Sequence, residues 1–226
     1  MIIDCISDLH GYYPKLEGGD LLIVAGDLTS DDSAEAWCKF ETWITDLNYH
    51  IKIVIGGNHD NFLQSAPAHN MWKYWDKVDT RLHYLCDSGT EFEGLKIWGS
   101  PWTKTFPGMN PRCKAFTVDT EEELAEKWAL IPDDVDILVT HSPLLAVLDV
   151  TAGGKSEGSL SLCAKVGGLR SLKLHVFGHI HEGYGQVVAE KGYRPAFFDI
   201  SRHESVNASH VNECYEPVNK PIRIEL

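Results

Sequence analysis

Side chains that can bind metal ions follow several short β-branched or aliphatic runs of this chain. The run 51–55 (Ile-Lys-Ile-Val-Ile) breaks at two glycines and leads into Asn58, His59 and Asp60. Similar runs lead into further polar groups, which are Asp8 and His10, Asp27, His141, and His179 with His181. Each run has the composition of a buried strand. Because ligand groups gather beyond the carboxyl ends of strands in layered α/β folds, the pattern predicts one shared metal site.

The residue types indicate which metals such a site would take. Imidazole and carboxylate ligands without a thiolate suit Mn, Fe, Co, Ni or Zn, and a shared carboxylate holds two cations about 3.5–4 Å apart. On a regular strand the rings of His179 and His181 would share one face, whereas a turn beyond the strand end can aim them at neighbouring metals. A single histidine is more often structural than a ligand, so the hypothesis depends on the whole ordered series.

Length and composition set limits on the class of protein. The chain has 226 residues, of which 43% are hydrophobic, and this is enough for a substantial core. Because the candidate ligands run from Asp8 to His181, a domain boundary between them would split the site, and we predict a single domain over 1–226. The formal charge of −13 disfavours a sequence-blind nucleic-acid binder. Bound cations would still allow a small anionic substrate.

The cysteines and the chain start bear on location. Six cysteines are spread singly without a C-x-x-C pair, which indicates reduced thiols rather than a disulfide framework or a thiolate zinc site. A predicted strand begins directly after Met1, which leaves no room for a signal peptide. No apolar run is long enough to span a bilayer. We therefore expect a cytoplasmic protein without a membrane segment.

The spacing of apolar residues and the capping residues predict the other helices and strands. Asp32 and Glu35 are predicted to open a helix that carries apolar residues up to Leu47, and Thr120 with Glu123 forms a capping-box pattern before a second helix. A weaker helical pattern covers 162–169. Short strands are predicted over 82–85 and 95–98, and strands of a second sheet over 184–188, 196–200 and 222–224.

The ordered series as a whole resembles that of the calcineurin-like metallophosphoesterases, over nearly the whole chain. The resemblance rests on these fragments in this order: Asp8-x-His10, Gly26-Asp27, Gly57-Asn58-His59-Asp60, His141 and Gly178-His179-x-His181. It implies an α/β fold of four layers, an α/β/β/α sandwich in which two mixed β-sheets pack face to face with flanking helices. It also implies a dinuclear metal centre between the strand ends.

The resemblance further implies a role for each ligand. Asp8, His10 and His181 would bind one metal, Asn58, His141 and His179 would bind the other, and Asp27 would bridge both. We expect two divalent transition-metal ions, manganese first, with iron, zinc, cobalt or nickel as alternatives.

Catalysis would follow from the two metals and a neighbouring histidine. Two close cations lower the pKa of a bridging water, and the resulting hydroxide would attack phosphorus. The resemblance makes His59 the general acid for the leaving oxygen, and we expect Asp60 to hold its ring. The alternative for His59 is a residue that only faces solvent beside the site.

Other segments indicate a branch of the family. Asp27 is followed by Leu28-Thr29-Ser30 rather than by an arginine, which weakens a protein Ser/Thr phosphatase interpretation. Segments 96–102, 135–141, 175–185, 207–209 and 217–221 resemble the small metallophosphoesterase-domain-containing (MPPED-type) subfamily, which implies a phosphodiesterase for a small phosphoester or a nucleotide. The chain has Asp60 and Ser142 where that subfamily often has glutamate and glycine.

Two rival functions stay open at this point. One is a catalytically weak, metal-bearing module of the same fold that binds nucleotides or proteins, although every ligand position is filled. The other is a nuclease, which the acidic charge disfavours. The sequence also leaves open whether Trp102 and Tyr184 face a substrate ring or pack in the core, and whether Asn207 bonds near the pocket.

Overall fold

A computed structural model describes residues 1–65, 75, 77–106, 108–189 and 202–226. The chain is mixed α/β, with two large mixed sheets. This confirms the fold class that the sequence predicts.

The first sheet has the order β13-β1-β2-β3-β4 among the described residues. Its strands are β1 (Ile2–Ile6), β2 (Gly19–Ala25), β3 (Tyr49–Ile55), β4 (Leu82–Tyr84) and β13 (Ile222–Glu225). Strands β1 to β4 pair in parallel, and β13 pairs antiparallel with β1. The prediction that 222–224 belongs to the second sheet was therefore wrong. Its alternation of buried and exposed residues identifies a half-buried strand but carries no information on which edge it joins.

The second sheet has the order β11-β12-β10-β9-β6-β5 within the described ranges. Its strands are β5 (Ser88–Phe92), β6 (Leu95–Ser100), β9 (Ile137–Thr140), β10 (Leu174–Phe177), β11 (Gly185–Ala189) and β12 (His203–Asn207). The inner strands pair in parallel, while β5 and β11 are antiparallel edges. The short strands β7 (Thr103–Lys104) and β8 (Thr117–Val118) pair separately. The predicted strand 196–200 lies outside the described residues.

The helices begin where capping side chains satisfy the first backbone N–H groups. Those that lie wholly within the described ranges are α1 (Ala34–Asp46), α2 (Asn61–Ser65), α3 (Glu121–Trp128) and α4 (Leu160–Gly168). Thr120 and Glu123 form the predicted reciprocal capping box of α3. Helix α1 starts one residue later than predicted, because the Ser33 hydroxyl accepts the Ala36 N–H at 3.2 Å. None of the helices in the described residues is long and apolar enough to cross a membrane.

In the described part of the chain, the buried apolar side chains form one cluster between the sheets and one outside each sheet. The inner cluster combines Ile23 and Ile53 of the first sheet with Val139 and Val176 of the second. Outside the first sheet, the cluster includes Trp37, Phe40 and Ile44 of α1. Outside the second sheet, it includes Leu124 and Trp128 of α3 and Leu162 of α4. The order of layers is therefore helix, sheet, sheet, helix.

A buried carboxylate fixes β13 to the first sheet. The Asp4 carboxylate, on β1, is 3% exposed and accepts two hydrogen bonds from the Arg223 guanidinium, each 2.8 Å long. It also accepts the Tyr49 hydroxyl of β3. Bidentate arginine pairs of this kind are among the stronger hydrogen bonds in proteins. The contact therefore joins three strands of the sheet.

Replacing Arg223 with alanine should lower the free energy of unfolding by about 2 kcal/mol, because Asp4 would stay buried without its bidentate partner. Urea denaturation measures the change. Arg170, which is exposed, provides the control, and its replacement by alanine should cost less than about 0.5 kcal/mol. Equal small effects of the two substitutions would contradict this account of β13.

Candidate metal centre

The loops that follow the parallel strands meet at one end of the two sheets. The N–H of Asp8, after β1, donates to the Gly26 carbonyl after β2 at 2.9 Å, and the His10 N–H donates to the Asp27 carbonyl at 3.0 Å. In the second sheet, the Gly178 N–H donates to the His141 carbonyl at 3.2 Å. The side chains that the sequence singled out are thus presented into one shared space.

Several of these residues have a left-handed backbone. The φ angles are 50° at Asp8, 43° at His10, 54° at Asp27 and 69° at His179. This conformation costs a residue with a Cβ atom roughly 1–2 kcal/mol, and it persists only where the surroundings hold it. It turns each side chain sharply away from the direction of its strand. The centre is therefore built with local backbone strain.

Two glycines allow the loops to approach closely. A Cβ atom on Gly57 would lie 2.3 Å from Asp27 Oδ1, and one on Gly178 would lie 2.2 Å from Asp8 Oδ2. Both distances are far shorter than van der Waals contact, so a side chain at either position would displace a carboxylate. Glycine is therefore needed at these two motif positions, because the carboxylates of Asp27 and Asp8 occupy the space that a side chain would fill.

A first group of donor atoms comes from Asp8, His10 and His181. The Nε2 atoms of His10 and His181 are 3.4 Å apart, and His181 Nε2 is 3.5 Å from Asp8 Oδ1. His181 Nδ1 donates to the Asn212 carbonyl at 3.0 Å, which directs its Nε2 atom into the group. The Ser209 hydroxyl donates to Asp8 Oδ2 at 2.6 Å. These contacts orient the donors from behind.

A second group comes from Asn58, His141 and His179. Asn58 Oδ1 lies 3.1 Å from His141 Nε2 and 2.9 Å from His179 Nδ1. His141 Nδ1 donates to the Ala25 carbonyl at 2.9 Å, which directs its Nε2 atom inward. The rings of His179 and His181 thus turn to different groups of donors, although only one residue separates them.

Asp27 lies between the two groups. Its Oδ2 atom is 3.7 Å from His10 Nε2 in the first group and 3.5 Å from His141 Nε2 in the second. The same oxygen is 3.9 Å from His59 Nε2. The other oxygen, Oδ1, accepts the His59 N–H at 2.9 Å. One carboxylate is therefore within reach of both groups.

Burial shapes the charges of this centre. Asp8 is fully buried and Asp27 is 2% exposed. Burial opposes their ionisation, but His181 holds the pKa of Asp8 below its usual range, and His141 holds that of Asp27 well below. Burial also opposes a charge on His141, yet Asp27 raises the pKa of that imidazole to about 9. The two carboxylates therefore favour positive charge on the groups beside them.

The imidazoles of His10 and His179 favour the neutral form that binds metals. Burial lowers the pKa of His10 to about 4 and that of His179 to about 3. The donor atoms of the centre lie close together, and they belong to imidazoles, carboxylates and one amide. Divalent transition metals bind to ligands of these types when the imidazoles are neutral. A bound cation would supply the positive charge that the carboxylates of Asp8 and Asp27 attract.

Asp60 has partners other than the expected one. Its carboxylate accepts the backbone N–H groups of Gly57 at 2.7 Å and of Asp27 and Leu28 at 3.0 Å each. The sequence suggested that Asp60 would hold the His59 ring, but these bonds direct both carboxylate oxygens to the backbone. Burial, and then the charge of Asp27, raises the pKa of Asp60 well above its usual range. Asp60 therefore joins the loops after β2 and β3.

A cavity of 520 Å³ opens beside the donor groups. The His59 side chain, 21% exposed, lies on its wall, and the His59 ring centroid is 4.7 Å from that of His10. The lining also includes Lys104, Phe106, Met109, Lys155 and Tyr215. Volumes of this order hold small organic ligands. The cavity thus has room for more than a phosphate group.

The two aromatic residues left open by the sequence have structural contacts. Trp102 Nε1 donates to Asp87 Oδ2 at 2.7 Å, and Lys127 Nζ lies 3.8 Å from the Trp102 ring centroid. The Tyr184 hydroxyl donates to the Lys220 carbonyl at 2.8 Å. Neither residue is among those that line the cavity. Both therefore pack against the protein and do not line this cavity.

Asn207 supports the loop that carries His181. Its amide nitrogen donates to the carbonyls of Leu148 at 2.9 Å and Ile180 at 2.8 Å, and its oxygen accepts the Ser209 hydroxyl at 2.9 Å. The side chain is fully buried. The amide group of Asn207 is thus occupied by internal hydrogen bonds.

Sequence reasoning missed three residues of the C-terminal segment. Ser209 and Asn212 bond to Asp8 and His181, and the Tyr215 ring centroid lies 4.8 Å from that of His10. These residues follow β12 in an irregular loop, where neither periodicity nor ligand spacing marks them. Only the likeness of segments 207–209 and 217–221 to one subfamily pointed to this region.

Comparison with known proteins gives matches over most of the chain. Residues 1–183 match the family model described as calcineurin-like phosphoesterase. Metallophosphoesterase domain-containing protein 1 of Homo sapiens is 36% identical over 98% of this chain and 70% of its own length, and the Mus musculus protein gives the same values. The crystal structure of TT1561 of Thermus thermophilus has a TM-score of 0.57 at 15% identity, covering 92% of this chain and 90% of that one. This last similarity concerns the fold.

Replacing Asp60 with asparagine should lower the free energy of unfolding by about 2 kcal/mol, because an amide NH₂ would face a backbone N–H and leave a buried donor unpaired. The affinity for Mn²⁺ should fall as well, since the loops of Asp27 and Asn58 would loosen. The pH dependence of kcat/KM for phosphoester hydrolysis should stay unchanged, because the Asp60 carboxylate bonds to the backbone and not to the His59 ring. Thermal unfolding, metal titration and pH–rate profiles measure these effects.

Asp46, which is exposed, provides the control, and its replacement by asparagine should leave all three measurements unchanged. If the Asp60→Asn protein were as stable as the parent but its pH–rate profile were displaced, the result would support a direct action of Asp60 on His59.

Proposed function

Since the chain belongs to the calcineurin-like phosphoesterase family, whose members hydrolyse phosphoesters and typically bind divalent metals, we propose that it is a dinuclear metal-dependent phosphodiesterase. The observation that carries the proposal is the position of Asp27 Oδ2 between two groups of nitrogen and oxygen donors. A carboxylate placed in this way suits a bridge between two cations.

The metal ligands follow from the donor groups. Asp8, His10 and His181 would hold one ion, Asn58, His141 and His179 the other, and Asp27 would contact both. The donor types support manganese, with iron, zinc, cobalt or nickel as alternatives. When bound, the cations would activate water and neutralise charge on the phosphate oxygens.

The protein's own contribution to the reaction centres on His59. Its side chain lines the cavity, and its backbone N–H is bound to Asp27, so the imidazole is held beside the donor groups. We assign it the donation of a proton to the leaving oxygen, as a general acid. Asp60 acts indirectly, through the loops that position Asp27 and Asn58.

The cavity supports a small phosphoester with an organic group on phosphorus. Its 520 Å³ exceeds the space that phosphate alone needs. The wall carries charges of both signs, from Lys104 and Lys155 and from Glu157, Glu182 and Glu213, and Phe106 and Met109 add apolar surface. This combination favours a diester, a nucleotide among them. The net charge of −13 disfavours a nucleic-acid polymer.

The proposal extends to organisation and location. The ligand groups come from both sheets, which supports one domain over 1–226. The six cysteines are free thiols, which is compatible with a cytoplasmic protein.

Protein stripped of metal should not hydrolyse an aryl phosphodiester, and Mn²⁺ should restore hydrolysis, because the buried carboxylates and imidazoles bind the activating cations. Mn²⁺ should also raise Tm, and at 100 times its Kd the stabilisation would be about 2.7 kcal/mol. Hydrolysis assays and thermal scans with and without chelator measure both effects.

Asp27→Asn should abolish both responses, whereas replacing the exposed Asp133 with asparagine should preserve them. Hydrolysis that survives chelation would contradict the proposal. Binding of Mn²⁺ without hydrolysis of any phosphoester in a broad panel would favour the binding-module alternative instead.

Replacing His59 with asparagine should lower kcat/KM at least about 100-fold for a diester with an alkyl leaving group, because the alkoxide needs a proton as it departs. The loss should be much smaller with 4-nitrophenolate, which departs without one. Metal content should not change. Steady-state kinetics on the two substrates, with metal analysis, make the comparison.

The His50 side chain is 74% exposed, and replacing it with asparagine should leave both substrates unaffected. Equal losses on both substrates for His59→Asn would assign His59 a structural role, and unchanged turnover would remove it from the mechanism.

A further inference from the structure

Tyr215 lies against the imidazoles of the candidate centre. Its ring centroid is 4.8 Å from that of His10 and 5.1 Å from that of His181, with interplanar angles of 71° and 87°. It is 6.2 Å from the ring centroid of His59. These distances are those of packed aromatic pairs, and edge-to-face contacts fix the orientation of the Tyr215 ring.

A tight turn places this ring. Asn212 Oδ1 accepts the N–H groups of Cys214 and Glu216, each at 2.9 Å, and the Asn212 carbonyl accepts the Tyr215 N–H at 2.9 Å. The same carbonyl accepts His181 Nδ1. Tyr215 itself has a left-handed φ of 60°, which the turn must hold in place. The position of the ring is therefore coupled to that of a candidate metal ligand.

The ring also has a free surface. Tyr215 is 47% exposed and lines the cavity together with His59. A large aromatic side chain with fixed orientation and an open surface provides contact area at little entropic cost. In the reaction proposed above, His59 faces the leaving oxygen, so the group attached to that oxygen begins beside Tyr215.

We propose that Tyr215 is a specificity-determining residue that contacts the leaving group and selects phosphoesters whose leaving group carries a flat, unsaturated ring. The inference rests on the proposed function, because it uses the position of His59 relative to the leaving oxygen. The sequence left open whether Trp102 or Tyr184 faces a ring of the substrate, and the proposal gives this contact to Tyr215.

Benzyl methyl phosphate tests which ester group lies beside His59, because its two alcohols have similar intrinsic leaving abilities. When the benzyl ester is cleaved, the P–O bond to the benzyl oxygen breaks, that oxygen takes the His59 proton, and phosphorus keeps the oxygen of a water molecule. The protein should release mainly benzyl alcohol. Tyr215→Leu should lower the ratio of benzyl alcohol to methanol by about tenfold, and Tyr215→Phe should preserve it.

A binding measurement gives a readout that does not require turnover. Calorimetric titration of the Mn²⁺-loaded protein with benzylphosphonate and methylphosphonate should show tighter binding of benzylphosphonate. Tyr215→Leu should lose this preference, about tenfold, while its affinity for methylphosphonate and its metal content stay unchanged. Phe106→Leu, which alters another ring of the cavity wall, should keep the preference.

Three results would overturn the inference. An unchanged product ratio and an unchanged preference in Tyr215→Leu would show that the ring does not contact the ligand. Equal weakening of both phosphonates would assign it a structural role, and loss of the preference in Phe106→Leu alone would assign the contact to Phe106. Absence of all hydrolysis would contradict the proposed function instead, and the phosphonate preference would remain measurable.

Discussion

Three buried carboxyl groups are the constraint on which the centre depends. Asp8, Asp27 and Asp60 lie side by side at the strand ends with at most 2% exposure, and a carboxylate removed from water is stable only with compensating donors or cations. Asp60 is served by backbone N–H groups, and Asp8 by Ser209 and the His179 N–H. Asp27 has one oxygen on a backbone N–H and the other among imidazoles. The three acids thus divide into one that organises loops and two that attract positive charge.

The same constraint explains why distant segments converge. The Ser209 hydroxyl reaches Asp8 across 201 residues of sequence, and the Asn212 carbonyl fixes His181. The segment after β12 therefore completes the environment of residues that follow β1 and β10. Since each buried polar atom requires a partner, the loops can adopt few other arrangements. The precision of the centre comes from these orienting contacts as much as from the donor residues.

Much of the fold could be predicted from local patterns. Short apolar runs identified β1, β2, β3, β9 and β10, and the capping box located α3, because both signals depend on neighbouring residues. The sheet of β13 could not be predicted, since Ile222 and Ile224 would suit any edge with an apolar face. Ser33 rather than Asp32 caps α1, a shift of one residue that composition does not resolve.

The candidate centre, like the fold, could be predicted only in part. The residue types and their order were sufficient to select the side chains that the fold assembles. The partners of Asp60 were not predictable, because a carboxylate next to a histidine in sequence need not face it, and here it bonds to backbone groups of another loop. Tyr215 was missed because its relation to His10 and His181 arises only when the C-terminal loop folds over them.

The left-handed backbone at Asp8, His10, Asp27 and His179 has an evolutionary consequence. Glycine adopts that conformation freely, so a drift to glycine at these positions would relax the chain while removing a donor. A related protein that no longer needed these donor groups could therefore gain stability by replacing them with glycine. In this chain all four positions carry donor side chains, so the local strain that glycine would relieve is held at the candidate metal ligands themselves.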